Sequence, residues 1–397
     1  MSITLSDITN TSTHLSGNRI KVVATTGGIP SGATDYKILL KIVSADNVLF
    51  GSPFIDAIAP DDNSEAEFDI SGYVDQPVNV DLKWPIPNEY EGRWHGYPNQ
   101  VYDVQLYAGE RYIDSDGNLQ ESFQAVWGTI FVVKGKLDSL MLARLNELGQ
   151  TWFTHFSEGG KFLTYMPTTQ YIGPDTPVKL WWKSPTTTLA FSLKAKAYYD
   201  DGSTVNYSGD GTLWYDVMFE FSVQPRGLQF YPYISGAKLL YYEVWIDSTP
   251  NVEKRTFIID HDYKENNYYL FVDNKIGGID TIWLNGAVKY NPTGQRTVTS
   301  RPFQSGQTTK NRTRFVGGQS RTRKWTINSG FKTKAEMEAI DILLDTQNAW
   351  LAIPPADGST DISQYVLVPV IITSTELDLT DSISDLQSVE IEIEEAY

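Results

Sequence analysis

Short segments in which apolar and polar residues alternate recur along the chain, and clusters of turn-forming residues separate them. Residues 66–70 and 101–107 alternate strictly, while residues 60–64 and 114–118 are rich in Pro, Asp, Asn, Ser and Gly. Alternation with a period of two places successive side chains on opposite faces of a β-strand. Short strands with turn clusters at this spacing are typical of immunoglobulin-like or fibronectin-like β-sandwiches. The pattern predicts a mainly β fold.

The length of the chain indicates more than one domain. With 397 residues, it exceeds one ordinary sandwich and suffices for two or three domains, each with its own core. The strand pattern predicts an N-terminal sandwich over residues 1–135 and a second sandwich over residues 150–252. Residues 136–149 are expected to link them. A C-terminal β domain over residues 253–397 follows, and we interpret it as the assembly domain.

Two segments show the periodicity of a helix. Residues 137–148 carry leucine and methionine at three- and four-residue spacing, and Gly149 follows as a C-terminal stop. Thr333 and Glu336 match a capping box that opens a second helix over residues 334–346. Since no other segment keeps this periodicity, we expect less than about a sixth of the residues to be helical.

Composition, net charge and the N-terminal residues disfavour several classes of function. No run of apolar residues approaches the length needed to span a bilayer, and the first residues lack the basic and apolar regions of a signal peptide. We therefore expect neither a transmembrane segment nor export by a signal peptide. The absence of cysteine excludes disulfides and Cys-type metal sites. A formal net charge of −17 disfavours nucleic acid as the primary ligand, because phosphate binding needs a basic surface.

No arrangement of residues points to catalysis. The chain contains four histidines, namely His14, His95, His155 and His261, which lie far apart and form no metal-binding spacing. No nucleophile elbow, phosphate-binding loop or dinucleotide-binding glycine pattern is present. We predict no enzymatic activity, no catalytic residues, no bound metal and no cofactor.

The charges of the last third are segregated. Residues 296–334 contain ten basic and no acidic residues, whereas residues 335–397 contain fourteen acidic residues and no Lys or Arg. If the two segments form adjacent strands, cross-strand pairs explain them within one subunit. If they lie at opposite ends, they suit a head-to-tail ring, in which complementary charge fixes orientation. We favour the ring, with a candidate assembly interface of Arg312, Arg314, Arg321, Arg323, Lys324, Glu390, Glu392 and Glu394.

Three segments of the chain are distinctive, namely residues 161–167 (KFLTYMP), 180–182 (LWW) and 268–281 (YYLFVDNKIGGIDT). Through them, residues 135–397 resemble tail-region structural proteins of phages and prophages of Bacteroidota. The C-terminal order of a basic strand at residues 323–327, a capped helix ending at 342–345 and closing strands is similar to the split β-barrel of tail-tube and distal-tail proteins. The resemblance implies a split β-barrel-like C-terminal domain with one flanking helix.

The same resemblance implies a non-enzymatic virion protein of a phage tail, assembled in the host cytoplasm. Its partners would be further copies of itself in a homo-oligomeric ring and other tail proteins, and the family offers no catalytic residues to carry over. The two sandwich domains before the ring-forming domain depart from the pattern. Because of these two domains, the position of the protein within the tail stays open among the distal tail, the baseplate and a tail-adaptor ring.

An aromatic loop supports an alternative function. Trp84, Tyr90, Trp94 and Tyr97 lie in a segment interrupted by proline and glycine. If these four rings line one shallow groove, they are candidate glycan-binding residues of a receptor-binding tail protein for host attachment. If they are core or subunit contacts, structural assembly is favoured.

Overall fold

A computed structural model of the 397-residue chain describes residues 3–44, 53–75, 82, 94–97, 100–124, 126–185, 188–214, 217–230, 236–248, 251–262, 264, 266–300, 314–356, 359, 361–377 and 386–396. Strands account for 51% and helices for 11% of the structure, which confirms the mainly β class and the low helical content. The chain divides into two compact units. The first comprises residues 1–169, 177–259 and 273–280, and the second comprises residues 170–176, 260–272 and 281–397.

The N-terminal part of the first unit is a β-sandwich. Its strands are β1 (Ile3–Ser6), β2 (Thr13–Leu15), β3 (Lys21–Thr26), β4 (Thr34–Ser44), β5 (Phe54–Ile58), β6 (Glu65–Asp69), β8 (Val101–Ile113), β9 (Leu119–Phe123) and β10 (Gly128–Val133). The short strand β7 (Trp94–Tyr97) comes before β8 in the chain but belongs to neither sheet of this sandwich. One sheet has the order β1-β3-β6, and the other has the order β2-β10-β8-β4-β5 with β9 paired to β8. The inner faces share one core that includes Val22, Phe68, Leu40, Val104 and Ile130.

Two helices belong to this region. A short helix α1 spans Ser71–Asp75, and α2 spans Ser139–Glu147 within the predicted linker. Asp138 caps α2 by accepting a 2.7 Å hydrogen bond from the backbone N–H of Met141. The helix is shorter than predicted. Leu145 is buried whereas Leu140 is exposed, so only part of the periodic apolar face is covered.

The second part of the first unit contains two further sheets. Its strands are β12 (Lys179–Lys183), β13 (Thr188–Tyr199), β14 (Thr204–Trp214), β15 (Met218–Ser222), β16 (Leu239–Asp247) and β17 (Arg255–Ile259), while β11 (Thr169–Ile172) precedes them. Strands β17, β16, β13 and β14 lie side by side, and β12, β15 and β7 form a three-stranded sheet. Trp181, Phe221 and Phe257 are fully buried here.

Strand β7 changes the predicted domain division. It lies within the predicted first domain, yet it pairs antiparallel with β15 of the predicted second domain, from Met218–Tyr97 to Phe221–Trp94. Residues 1–169 and 177–259, which include the predicted linker and most of both predicted sandwiches, belong to one compact unit. Local alternation predicts that a strand exists but carries no information about a partner far away in the sequence.

The second unit is built around a seven-stranded sheet. The last eleven strands of the chain are β18 (Tyr268–Asp273), β19 (Ile279–Leu284), β20 (Val288–Tyr290), β21 (Thr293–Ser300), β22 (Arg314–Thr322), β23 (Lys324–Asn328), β24 (Lys332–Thr333), β25 (Ala349–Ile353), β26 (Val366–Ile372), β27 (Leu386–Gln387) and β28 (Glu390–Glu395). Strands β21 and β22 form a separate pair, as do β24 and β27. The sheet order is β19-β18-β25-β26-β28-β23-β20. Among the described strands this sheet stays open and closes no barrel.

One helix, α3, accompanies this sheet. It spans Lys334–Ile340 and continues as a 3-10 turn over Asp341–Leu344. The predicted capping box is present, because Thr333 accepts from the backbone N–H of Glu336 and the Glu336 carboxylate accepts from the backbone N–H of Thr333. Met337 and Ile340 are buried, as the apolar spacing predicted.

Candidate functional site

Parts of the basic and acidic segments pair with each other within one subunit. Strand β23 pairs antiparallel with β28, and Lys324 lies directly opposite Glu394 with Nζ and Oε2 2.5 Å apart. Arg323 pairs with Glu395 at 3.2 Å, and Lys289 lies 3.8 Å from Glu390. For these residues the arrangement within one subunit is realised, rather than the favoured intersubunit one. The physical reason is that adjacent antiparallel strands place opposite charges side by side.

Arg314 and Arg321 of the predicted interface lie on a two-stranded ribbon. Strands β21 and β22 pair only with each other among the described strands, and every residue of β21 is exposed. We call strands β21 and β22 the basic ribbon; in sequence, the segment 293–322 that contains them has six Arg or Lys residues and no Asp or Glu. Arg314 and Arg321 are exposed on it, and Arg321 donates to the Tyr290 hydroxyl at 3.3 Å. Arg312 lies outside the described residues.

Glu392 is the acidic member of the predicted interface that stays exposed without an ion pair among the described residues. Its backbone N–H donates to the Ser374 hydroxyl at 2.8 Å, and it lies opposite Thr326 on β23. The predicted interface thus divides into internally paired residues and exposed ones.

The predicted glycan groove is not formed by its described members. Trp84 and Tyr90 lie outside the described residues. The Trp94 ring packs edge-on against Phe191 at 5.2 Å, and the Tyr97 ring lies 5.0 Å from Trp181. Tyr97 is only 3% exposed, so its ring is a core contact that offers no face to a sugar in this conformation.

The Tyr97 hydroxyl belongs to a buried polar cluster. It donates to Oε2 of Glu220 at 2.9 Å, and Oε1 of Glu220 lies 2.6 Å from Nζ of Lys179. The side chains of Lys179 and Glu220 are each 1% exposed. A buried ion pair with an added hydrogen-bond donor is a well-satisfied structural element.

Two of the histidines, His14 and His155, have hydrogen-bond partners in the structure. Burial lowers the pKa of His14 to about 4, and its Nε2 lies 2.7 Å from the Ser12 hydroxyl. His155 contacts Gln150 and Lys161, and burial lowers its pKa. Among the described residues, no group of three or more His, Asp or Glu side chains could hold a metal ion. No described helix is long and apolar enough to cross a membrane.

The second unit contains a pocket that the sequence did not predict. Its volume is about 440 Å³, and it is lined by the loop at residues 173–175, the segment 260–267, β18, β19 and the loop after β25. Individually, these residues occur in ordinary turns and strands. Only the fold brings them together, so no local sequence pattern identifies the pocket.

Aromatic side chains form the inner part of this pocket. Nε1 of Trp283 donates to Oδ1 of Asn267 at 3.0 Å, and the rings of Tyr269 and Tyr365 lie 5.5 Å apart. Burial raises the pKa of Tyr365 to about 12 and that of Tyr269 well above its usual value, so both phenols are protonated near neutral pH. A Cβ on Gly173 would lie 3.0 Å from Cζ2 of Trp283, a spacing that favours glycine.

Charged side chains of both signs form the outer part. Nζ of Lys264 lies 3.0 Å from Asp260 and 3.9 Å from Asp262. The backbone N–H of Asp262 donates to Oδ1 of Asp260 at 2.9 Å, which fixes the turn. Asp175 adds a further half-buried carboxylate. The pocket therefore offers hydrogen-bond donors and acceptors close together.

Lys332 lies behind the Trp283 ring. Its Nζ is 4.9 Å from the ring centroid, a cation–π contact, and the residue is 5% exposed. Burial lowers the Lys332 pKa from 10.5 to about 8, against the opposing charge of Glu336. The ammonium charge of Lys332 is therefore poorly solvated.

Comparisons with known proteins assign no relative to the chain. No protein-family model matches it, and no curated protein does. Among solved structures it is similar to invasin, a bacterial integrin-binding protein, with 12% identity, a TM-score of 0.21, and coverage of 83% of this chain and 56% of invasin. Salmonella alpha-2-macroglobulin reacted with methylamine matches with 8% identity, a TM-score of 0.18, and coverage of 98% and 23%. The chain spans little more than half of the first protein and a quarter of the second. TM-scores near 0.2 assign neither a fold nor a function.

Proposed function

We propose that the chain is a non-enzymatic structural component of a phage tail, at the distal tail, the baseplate or an adaptor ring. It forms a closed ring of identical subunits and docks neighbouring virion proteins. The tail assignment rests on the sequence resemblance of residues 135–397. The observation that carries the ring is the basic ribbon, whose strand β21 is fully exposed and whose described strands are joined to no larger sheet.

The physical argument begins with the stability of such a ribbon. A two-stranded β-ribbon without further strands or a covered apolar face is at best marginally stable in water. Its outer edges present unpaired backbone groups that can extend another sheet. Contact with a neighbouring subunit would cover these groups, so the ribbon is suited to an interface.

The charge distribution of the chain indicates which surface the ribbon would contact. The ribbon segment carries +6, while the whole chain carries −17, so the residues outside it carry −23. A second copy therefore offers a surface that attracts the ribbon. Complementary charge of this kind speeds association and fixes register and orientation.

Size-exclusion chromatography with light scattering tests the proposal. Wild type at low salt should exceed the 44.7 kDa of one chain. Raising the ionic strength to about 1 M shortens the Debye length to roughly 3 Å and should shift the population toward monomer. Replacing Arg314→Glu and Arg321→Glu together should weaken assembly at low salt as well.

A matched control distinguishes the effect of where the charges lie from the effect of the change in net charge. Arg144→Glu with Lys238→Glu makes the same change in charge at two exposed residues of the first unit. These replacements should leave the mass unchanged. A wild-type monomer at high concentration and low salt contradicts the ring, as does an oligomer indifferent to the ribbon pair.

The tail assignment has its own test. Mass spectrometry of purified virions from a host that carries the gene should detect the chain in stoichiometric amounts with tail proteins. Its absence from intact virions would contradict the assignment, even if the isolated chain oligomerises.

A further inference from the structure

The pocket of the second unit has the size of a ligand site. Its volume of about 440 Å³ lies within the range of small-molecule pockets, roughly 300–1,000 Å³. Residues from separate loops converge on it, from residue 173 to residue 365. Convergence of distant segments on one concavity distinguishes it from a crevice between two neighbouring turns.

Hydrogen-bonding groups of both kinds surround the pocket. The carboxylates of Asp175, Asp260 and Asp262 accept, and the ammonium group of Lys264 donates. The amide of Asn267 is held in place by its bond from Trp283. A ligand that carries several hydroxyl groups can use acceptors and donors at once, because each hydroxyl both donates and accepts.

Apolar surface complements these groups. Pro174, Pro354 and Pro355 are half-buried in the lining, and Trp283 and Tyr269 lie deeper. Such a surface suits the C–H groups on the faces of a sugar ring, whereas a simple ion would make no use of it.

The mixture of charges argues against an ionic ligand. The three carboxylates of the lining outnumber its one ammonium group and repel an anion. A cation would need Asp260 and Asp262, but Lys264 already occupies both, at 3.0 Å and 3.9 Å. The buried phenols of Tyr269 and Tyr365 are protonated near neutral pH and add no charge. We propose that the pocket binds an uncharged sugar unit, a hexose or an N-acetylhexosamine.

Saturation-transfer-difference NMR on the full chain tests this inference. The probes are glucose, galactose, mannose, N-acetylglucosamine and N-acetylgalactosamine, with glucuronic acid and glucosamine as charged comparators. At least one neutral sugar should bind saturably and more tightly than both charged comparators. Binding of no neutral sugar, or tighter binding of a charged comparator, would overturn the proposal.

Two variants locate the binding. Ala356→Trp fills the pocket from an exposed loop position, and Lys264→Gln removes the charged donor. Each should weaken binding of the active sugar at least tenfold. Asp62→Asn, on an exposed loop of the first unit, serves as the control and should bind like wild type. If the Ala356→Trp protein, folded by circular dichroism, binds like wild type, the sugar site lies elsewhere and the inference fails.

The inference goes beyond ring assembly and is independent of it. Pocket variants should leave the oligomeric mass unchanged, since none of their positions is on the basic ribbon. Failure of sugar binding therefore leaves the proposed function standing.

Discussion

Lys324 and Glu394 occupy directly opposed positions on β23 and β28, with Nζ and Oε2 2.5 Å apart. This pair shows that part of the charge segregation of the last third is satisfied within one chain. Arg296, Arg314 and Arg321 on the basic ribbon have no ion pair with any described residue, and the proposed assembly depends on that difference.

The Lys324–Glu394 pair should contribute to stability but not to assembly. Lys324→Glu places like charges opposite each other and should lower the free energy of unfolding by about 0.5–1 kcal/mol, since both side chains are partly solvated. Urea denaturation measures this, and adding Glu394→Lys should restore the loss. A drop in oligomeric mass equal to that of the ribbon pair would contradict this division of roles.

The buried Lys179–Glu220 pair should be sensitive to the loss of one partner. Lys179→Met leaves the Glu220 carboxylate buried without its cation and should destabilise the protein by about 3–5 kcal/mol. The double variant Lys179→Met with Glu220→Leu should be less destabilised than the single one, because no charge remains buried. Equal losses in thermal and urea unfolding for the single and double variants would show that the pair is not coupled.

Lys332 should make stability depend on pH in the alkaline range. Its pKa is about 8 in the folded state and 10.5 ordinarily, so between these values the unfolded chain binds more protons. The free energy of unfolding should therefore rise with pH through this window, and the titration of Lys332 should contribute about 3 kcal/mol in total. The difference in unfolding free energy between wild type and Lys332→Met isolates the effect from other alkaline titrations. A difference that is constant from pH 7 to pH 11 would refute it.

The capping box of α3 should contribute measurably to stability. Thr333→Ala removes the hydroxyl that accepts from the Glu336 backbone N–H and should cost about 1 kcal/mol. Thr333→Ser keeps the hydroxyl and serves as the control. If both variants unfold at the temperature of wild type, the cap is dispensable.

Local features of the fold were predictable from the sequence. The Thr333 and Glu336 spacing identified the start of α3, because capping involves residues three apart. Alternation over residues 66–70 predicted strand β6, whose burial alternates accordingly. The turn before β9 behaves likewise, since the Asp114 carboxylate accepts from the backbone N–H groups of Asp116 and Asn118.

Long-range relationships were not predictable. The pairing of β7 with β15 joins residues more than a hundred positions apart, and alternation does not encode partners. For the same reason, the charge counts left open whether the basic and acidic segments meet within or between subunits. The pocket requires three loop segments and two strands, β18 and β19, to converge, and the burial of Tyr97 depends on the β7–β15 pairing.

Hydrogen–deuterium exchange at two protein concentrations tests the central claim most directly, because it reports on the basic ribbon itself. Amides of residues 293–300 should exchange quickly in dilute, high-salt protein, since every residue of this strand is exposed and the ribbon is only two strands wide. In concentrated, low-salt protein the same amides should be protected in parallel with the increase in mass, and Arg314→Glu with Arg321→Glu should abolish both changes. An increase in mass with no added protection at residues 293–300 would contradict the account.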